Sequence, residues 1–181
     1  MTTTPNPLAE RRARLREDWN GLHADALFDA LAAEPVVGDA LCGVGDALRE
    51  RMAPRALQMA SLRVAAARNC VYTWRGHCFI VLDRANPVLL PEEIARVAAP
   101  RHGFTGADGA LLSAVDGLLR RGHVAPPVRA ALGGAGTVNA IAATQFYGAV
   151  TANLVGAPPE APPIPGLETP ELAARRAGLG R

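Results

Sequence analysis

The chain has 181 residues, 49% of them apolar, which suits one domain with a sizeable core and leaves too little chain for two full-sized ones. Charged residues make up 20% and the formal net charge is +2, which excludes a disordered polyelectrolyte and gives no bulk electrostatic footprint for a nucleic-acid partner. All 19 basic residues are arginine, so chemistry that needs a lysine amine, such as a Schiff base, is excluded.

Aromatics are only 4%, and Ala-rich apolar runs recur at helical spacing, so the pattern predicts an all-α protein. Residues 1–19 read as an N-terminal segment in which MTTTPNPLAERRARL lacks the apolar core of a signal peptide. With three sparse cysteines, Cys42, Cys70 and Cys78, this points to a cytoplasmic location. Leu27, Leu31 and Ala32 mark a helix that should stop at Glu34, ahead of Pro35. Val37, Leu41, Val44 and Leu48 give the inward stripe of the next, with Arg49 and Arg51 near its C-terminal end, where cations suit the helix dipole.

Pro54 opens a tightly packed central helix to about Arg68, along which Gln58, Ser61, Ala65 and Arg68 share a face. After a break at Asn69 and Cys70, a second apolar helix runs from about Val71 to Arg84, and the two form a central antiparallel hairpin. Pro91 with Glu92 and Glu93 opens a short helix. Thr105 and Asp108 precede Leu111, Leu112, Val115 and Leu118, read as a surface helix that closes at Arg121 and Gly122. Gly133, Gly134 and Gly136 interrupt the chain before an Ala-rich helix from Thr137 to Leu154 that carries Tyr147. The helical domain therefore spans 20–156, and the Pro-rich residues 157–181 read as an extended arm suited to wrapping a neighbouring subunit. No window reaches the roughly 18 uninterrupted apolar residues of a membrane span, so no membrane partner is expected.

Reactive side chains are densest in NCVYTWRGHC, Asn69 to Cys78. Cys70, Thr73, Trp74 and His77 fall at i, i+3, i+4 and i+7, along one face of a helix that begins near Cys70. His77 has an ordinary pKa near neutrality and is the natural general acid or base, while Cys70 at a helix start is the candidate nucleophile. Two helical turns hold them about 10 Å apart along the axis, too far for a direct thiolate and imidazole pair. Gln58, Tyr72 and Thr73 carry groups that can orient a carbonyl or carboxylate, and Trp74 supplies a large apolar wall. Arg63 and Arg68 are candidates for binding an anion. Cys42, Cys78, His23, His102 and His123 have no partner at metal-ligand spacing, so no metal site is predicted.

The stretch RALQMASLRVAAARNCVYTWRGHCFIVLDRANPVLLPEEIARVA, Arg55 to Ala98, resembles the core of the carboxymuconolactone decarboxylase family, which includes alkylhydroperoxidase D-like proteins. The order of helices and the W-x-x-H spacing from Trp74 to His77 carry most of the likeness, which extends more loosely over residues 20–160. It implies an alkylhydroperoxidase D-like helical fold, a homo-oligomer, and a cofactor-independent enzyme for a small-molecule substrate. Cys70 and His77 match the family's cysteine and histidine, whereas Thr73 stands where redox-active members have a second cysteine and others have glutamate. Without that resolving thiol the intramolecular disulfide cycle does not close. Gln58 stands where the family has an acidic residue.

The leading expectation is acid/base proton transfer by His77, with Cys70 and Gln58 in the catalytic set and Tyr72, Thr73, Trp74 and Arg68 around the substrate. The substrate would be a small unsaturated carbonyl, lactone or carboxylic compound, undergoing decarboxylation, isomerisation or ring rearrangement in a specialised biosynthetic pathway. The alternatives are a Cys70-dependent peroxidase or reductase, and a non-catalytic helical oligomer or ligand-binding subunit.

Overall fold

Proline sets most of the helix starts in this chain, because its missing N–H costs nothing in the first turn. The computed structural model describes residues 7–18, 24–82, 87–168, 173–174 and 178–179. Among these the regular structure is entirely helical: α1 (Pro7–Asp18), α2 (Asp25–Ala32), α3 (Pro35–Arg51), α4 (Pro54–Ala67), α5 (Val71–Val81), α6 (Pro91–Ala98), α7 (Gly106–Arg121) and α8 (Pro126–Leu154). The expected all-α class is therefore observed. The predicted end of α5 at Arg84 and the residue His23 lie outside the described residues.

The α4–α5 hairpin is made by a two-residue turn. Asn69 adopts a left-handed φ of 51°, which asparagine tolerates better than most residues. The Cys70 N–H reaches the Ala65 carbonyl at 3.0 Å and the Asn69 N–H reaches that of Ala66 at 3.2 Å, so the last carbonyls of α4 are satisfied in a Schellman arrangement. The chain reverses there and α5 packs back along α4, which is buried from Met59 to Ala66 without interruption.

Arg63, weighed above as an anion binder, has another job. It is fully buried, and its guanidinium binds both oxygens of Asp116 on α7, Nε at 2.7 Å and Nη2 at 2.6 Å. Nη1 donates to the carbonyls of Val97 and Ala99 at 2.6 Å each, capping the end of α6. One side chain thus ties together α4, α6 and α7. Arg55 makes a second tie at the other end of α4, to Glu93 and to Asp108.

Four expectations change. Of the stripe predicted for α3, Leu48 is buried but Val37 and Val44 are 64% and 41% exposed. The inward face runs through Gly38 and Gly45, where an added Cβ would meet the Leu31 carbonyl oxygen at 2.6 Å and the Phe146 ring at 2.9 Å. Neighbouring helices approach where side chains are missing. Helix α7 is not a surface helix: Leu112, Ala114 and Val115 are fully buried, and it packs against α4 and α8. Helical structure in α8 begins at Pro126, before the glycines, and the break falls at Gly133 with φ 69° and ψ 178°. The described part of the C-terminal arm lies on its own domain, where Ala161 and Leu167 are buried, Glu160 accepts from the Tyr72 hydroxyl at 2.8 Å, and Glu168 pairs with Arg75.

The Gly133 backbone lies in a region that only glycine visits cheaply. Gly133→Ala is expected to lower stability by about 1 kcal/mol or more in urea unfolding. Gly134→Ala should be neutral or slightly stabilising, since space is open around it. Equal midpoints for the two variants would contradict strain at the kink.

Candidate functional site

The antiparallel hairpin brings the second turn of α4 beside the middle of α5, and so places Gln58 against His77. The Gln58 Oε1 lies 2.7 Å from His77 Nδ1. An amide oxygen only accepts, so Nδ1 carries the proton and Nε2 is left with a bare lone pair. The imidazole is also fixed from a third helix: Tyr147 of α8 meets it edge to face, with centroids 5.2 Å apart and planes at 84°, and Phe146 meets Tyr147 in the same manner at 5.0 Å.

Both Gln58 and His77 line a cavity of about 260 Å³, near the small end of the range for ligand sites. It lies among α1, α2, α3, α4, α5 and α8. Its buried walls are Phe28, Leu57, Tyr147 and Val150. Arg11, Arg14, Asp46 and Arg49 line its more exposed side, where α1 rests on α2 and α3. Arg11 donates to Asp39 at 3.0 Å and also binds Asp46, which takes Arg49 as well. Arg12 fastens α1 to Asp25 and Asp29 of α2.

Burial lowers the His77 pKa from 6.5 to about 4, with no charged neighbour contributing to the shift. His77 is therefore neutral at physiological pH. Burial also raises the Tyr147 phenol, with Arg49 and Ser61 acting the other way, so it keeps its proton. Cys42 lines the cavity too, and burial holds its thiol above the ordinary value. Among the described residues, no three His, Cys, Asp or Glu side chains gather where they would hold a metal ion.

Of the residues singled out in the sequence, Gln58 and His77 meet at the cavity and the others lie elsewhere. Cys70 is fully buried in a small cluster with Tyr72, Val150 and Leu154, and its sulfur lies 3.3 Å from the Thr73 hydroxyl. Tyr72 holds the C-terminal arm through Glu160. Trp74 is fully buried in the main core, and Arg68 is exposed at the end of α4. None of these five lines the cavity.

The lining residues missed in the sequence, among them Arg14, Cys42, Arg49 and Phe146, come from helices outside the hairpin. Tyr147 carried a signal, as one of only two tyrosines in the chain. The rest depended on tertiary contacts that local spacing does not encode. Comparison with known proteins finds no matching family model, no matching curated protein and no matching solved structure. Among the described residues no helix is long and apolar enough to cross a membrane.

Proposed function

We propose that this chain is a cofactor-independent cytoplasmic enzyme similar to carboxymuconolactone decarboxylases, built on an alkylhydroperoxidase D-like arrangement and assembled as a homo-oligomer. His77 moves a proton on a small unsaturated carbonyl, lactone or carboxylic substrate. The observation that carries this reading is the imidazole itself: it lines a ligand-sized cavity with Nδ1–H engaged by Gln58 and Nε2 without a hydrogen-bond partner among the described residues. A base whose conjugate acid has a pKa of about 4 is weak in the empty site but always in its unprotonated form at neutral pH. Negative charge developing on a substrate carbon beside the ring stabilises the imidazolium, so basicity rises as the proton moves. The Gln58 oxygen holds the ring in the tautomer that this transfer needs.

The peroxidase alternative has no comparable support, since Cys70 is fully buried and does not line the cavity. The test is deuterium incorporation from D₂O into a panel of β,γ-unsaturated lactones and oxo acids, followed by mass spectrometry. His77→Ala is expected to slow exchange by about 100- to 10,000-fold. Full exchange by that variant would remove His77 as the base.

A further inference from the structure

The cavity is divided by charge. Its inner walls are aliphatic and aromatic, including Phe28, Leu57 and Phe146, and the polar side chains beside them, Gln58, His77 and Tyr147, are all uncharged. The outer side is cationic. Arg11 and Arg49 are occupied by Asp39 and Asp46, whereas Arg14 is exposed, lines the same cavity and has no carboxylate partner among the described residues. Among the described residues, three guanidiniums there face two carboxylates, which leaves one positive charge in excess.

A carboxylate driven inward to His77 would exchange water for apolar walls with no cation to meet it, a costly placement. At the entrance it meets a guanidinium shaped to bind it and keeps part of its hydration. We infer that the ligand of this site is an amphipathic monoacid, an apolar unsaturated oxo acid whose carboxylate rests on Arg14 while its carbonyl end reaches the imidazole. The position of the reacting carbon rests on the role proposed above for His77; the position of the carboxylate does not.

It follows that the acid group is a handle and not a leaving group. The reaction class narrows from decarboxylation to double-bond isomerisation remote from the carboxylate. Nε2 takes a proton from the carbon next to the carbonyl, and the C–H electron pair moves into an enolate. The imidazolium then returns the proton to the far carbon of the conjugated system, the double bond shifts, and neutral His77 is restored. Atoms and electrons balance with no further reactant.

Calorimetric titration of the full chain with octanoate, 1-octanol and octylammonium tests this, because all three share one apolar body. Octanoate is expected to bind about tenfold more tightly than 1-octanol, and octylammonium more weakly than either. Arg14→Gln, a surface change that spares the fold, should weaken octanoate about tenfold and leave 1-octanol unchanged. Imidazole ¹⁵N spectra should show His77 still neutral with octanoate bound at pH 7. Four results would each overturn the inference: no octanoate binding at millimolar concentration, 1-octanol binding as tightly, Arg14→Gln weakening neither probe or both equally, or an imidazolium signal from His77 on binding. Catalysis takes no part in these readouts, so their failure leaves the role of His77 to be decided by deuterium exchange.

Discussion

Asp116→Ala is expected to destabilise the protein by about 3–5 kcal/mol, among the largest losses a single substitution here can produce. The reason lies in Arg63, which is completely enclosed and has both carboxylate oxygens of Asp116 as its counter-charge. Removing the carboxylate leaves a guanidinium buried against two backbone carbonyls, with its charge uncompensated. Asp116→Asn should cost less, because the amide oxygen still accepts one bond. Replacing both partners by apolar residues, Arg63→Met with Asp116→Leu, should recover a large part of the loss. Urea unfolding of the three variants measures this, and a loss below about 1 kcal/mol for Asp116→Ala would place the pair among surface ion pairs instead.

Acidification from pH 6.5 to 4 is expected to weaken the fold through His77 by about 2–3 kcal/mol. The unfolded chain presents an ordinary histidine with a pKa of 6.5, and the folded chain presents one held down to about 4 by burial. Between those values the unfolded state binds the extra proton, so stability rises with pH across the window and levels off above it. His102 is also lowered by burial and acts in the same direction, while Glu93, held down by Arg55, loses its contribution at still lower pH. His77→Asn isolates the term: its stability curve should be flatter than the parent's through this window. Superimposable curves for parent and variant would mean that the imidazole is far better hydrated than its surroundings imply.

Much of the helical layout was legible because it rests on local chemistry. Pro35, Pro54 and Pro91 start helices where a proline can, and the hairpin turn at Asn69 follows from a residue that accepts a left-handed backbone. The errors share a cause. In α3 the apolar pattern pointed to Val37 and Val44, but the packing surface is made by absent side chains at Gly38 and Gly45, which hydrophobic periodicity cannot register. In α7, read from the sequence as a surface helix, Asp116 beside Val115 serves the buried Arg63 from another helix. The candidate site divides in the same way. Gln58 and His77 were readable because one hairpin holds both. Cys70, just before α5, and Trp74, one turn further on, instead serve two different packed clusters, and Arg14 enters from a helix far away in the chain.

The compartment around His77 is closed by two unlike kinds of fastening. Helix α1 is clasped to α2 and α3 by Arg11 and Arg12, with Leu8 as a buried apolar anchor, whereas the inner walls belong to the main packing of α4, α5 and α8. Dissolved ions screen the clasps and leave the oily contacts intact or slightly strengthened. Raising the ionic strength is therefore expected to loosen the roof while the chamber beneath keeps its shape.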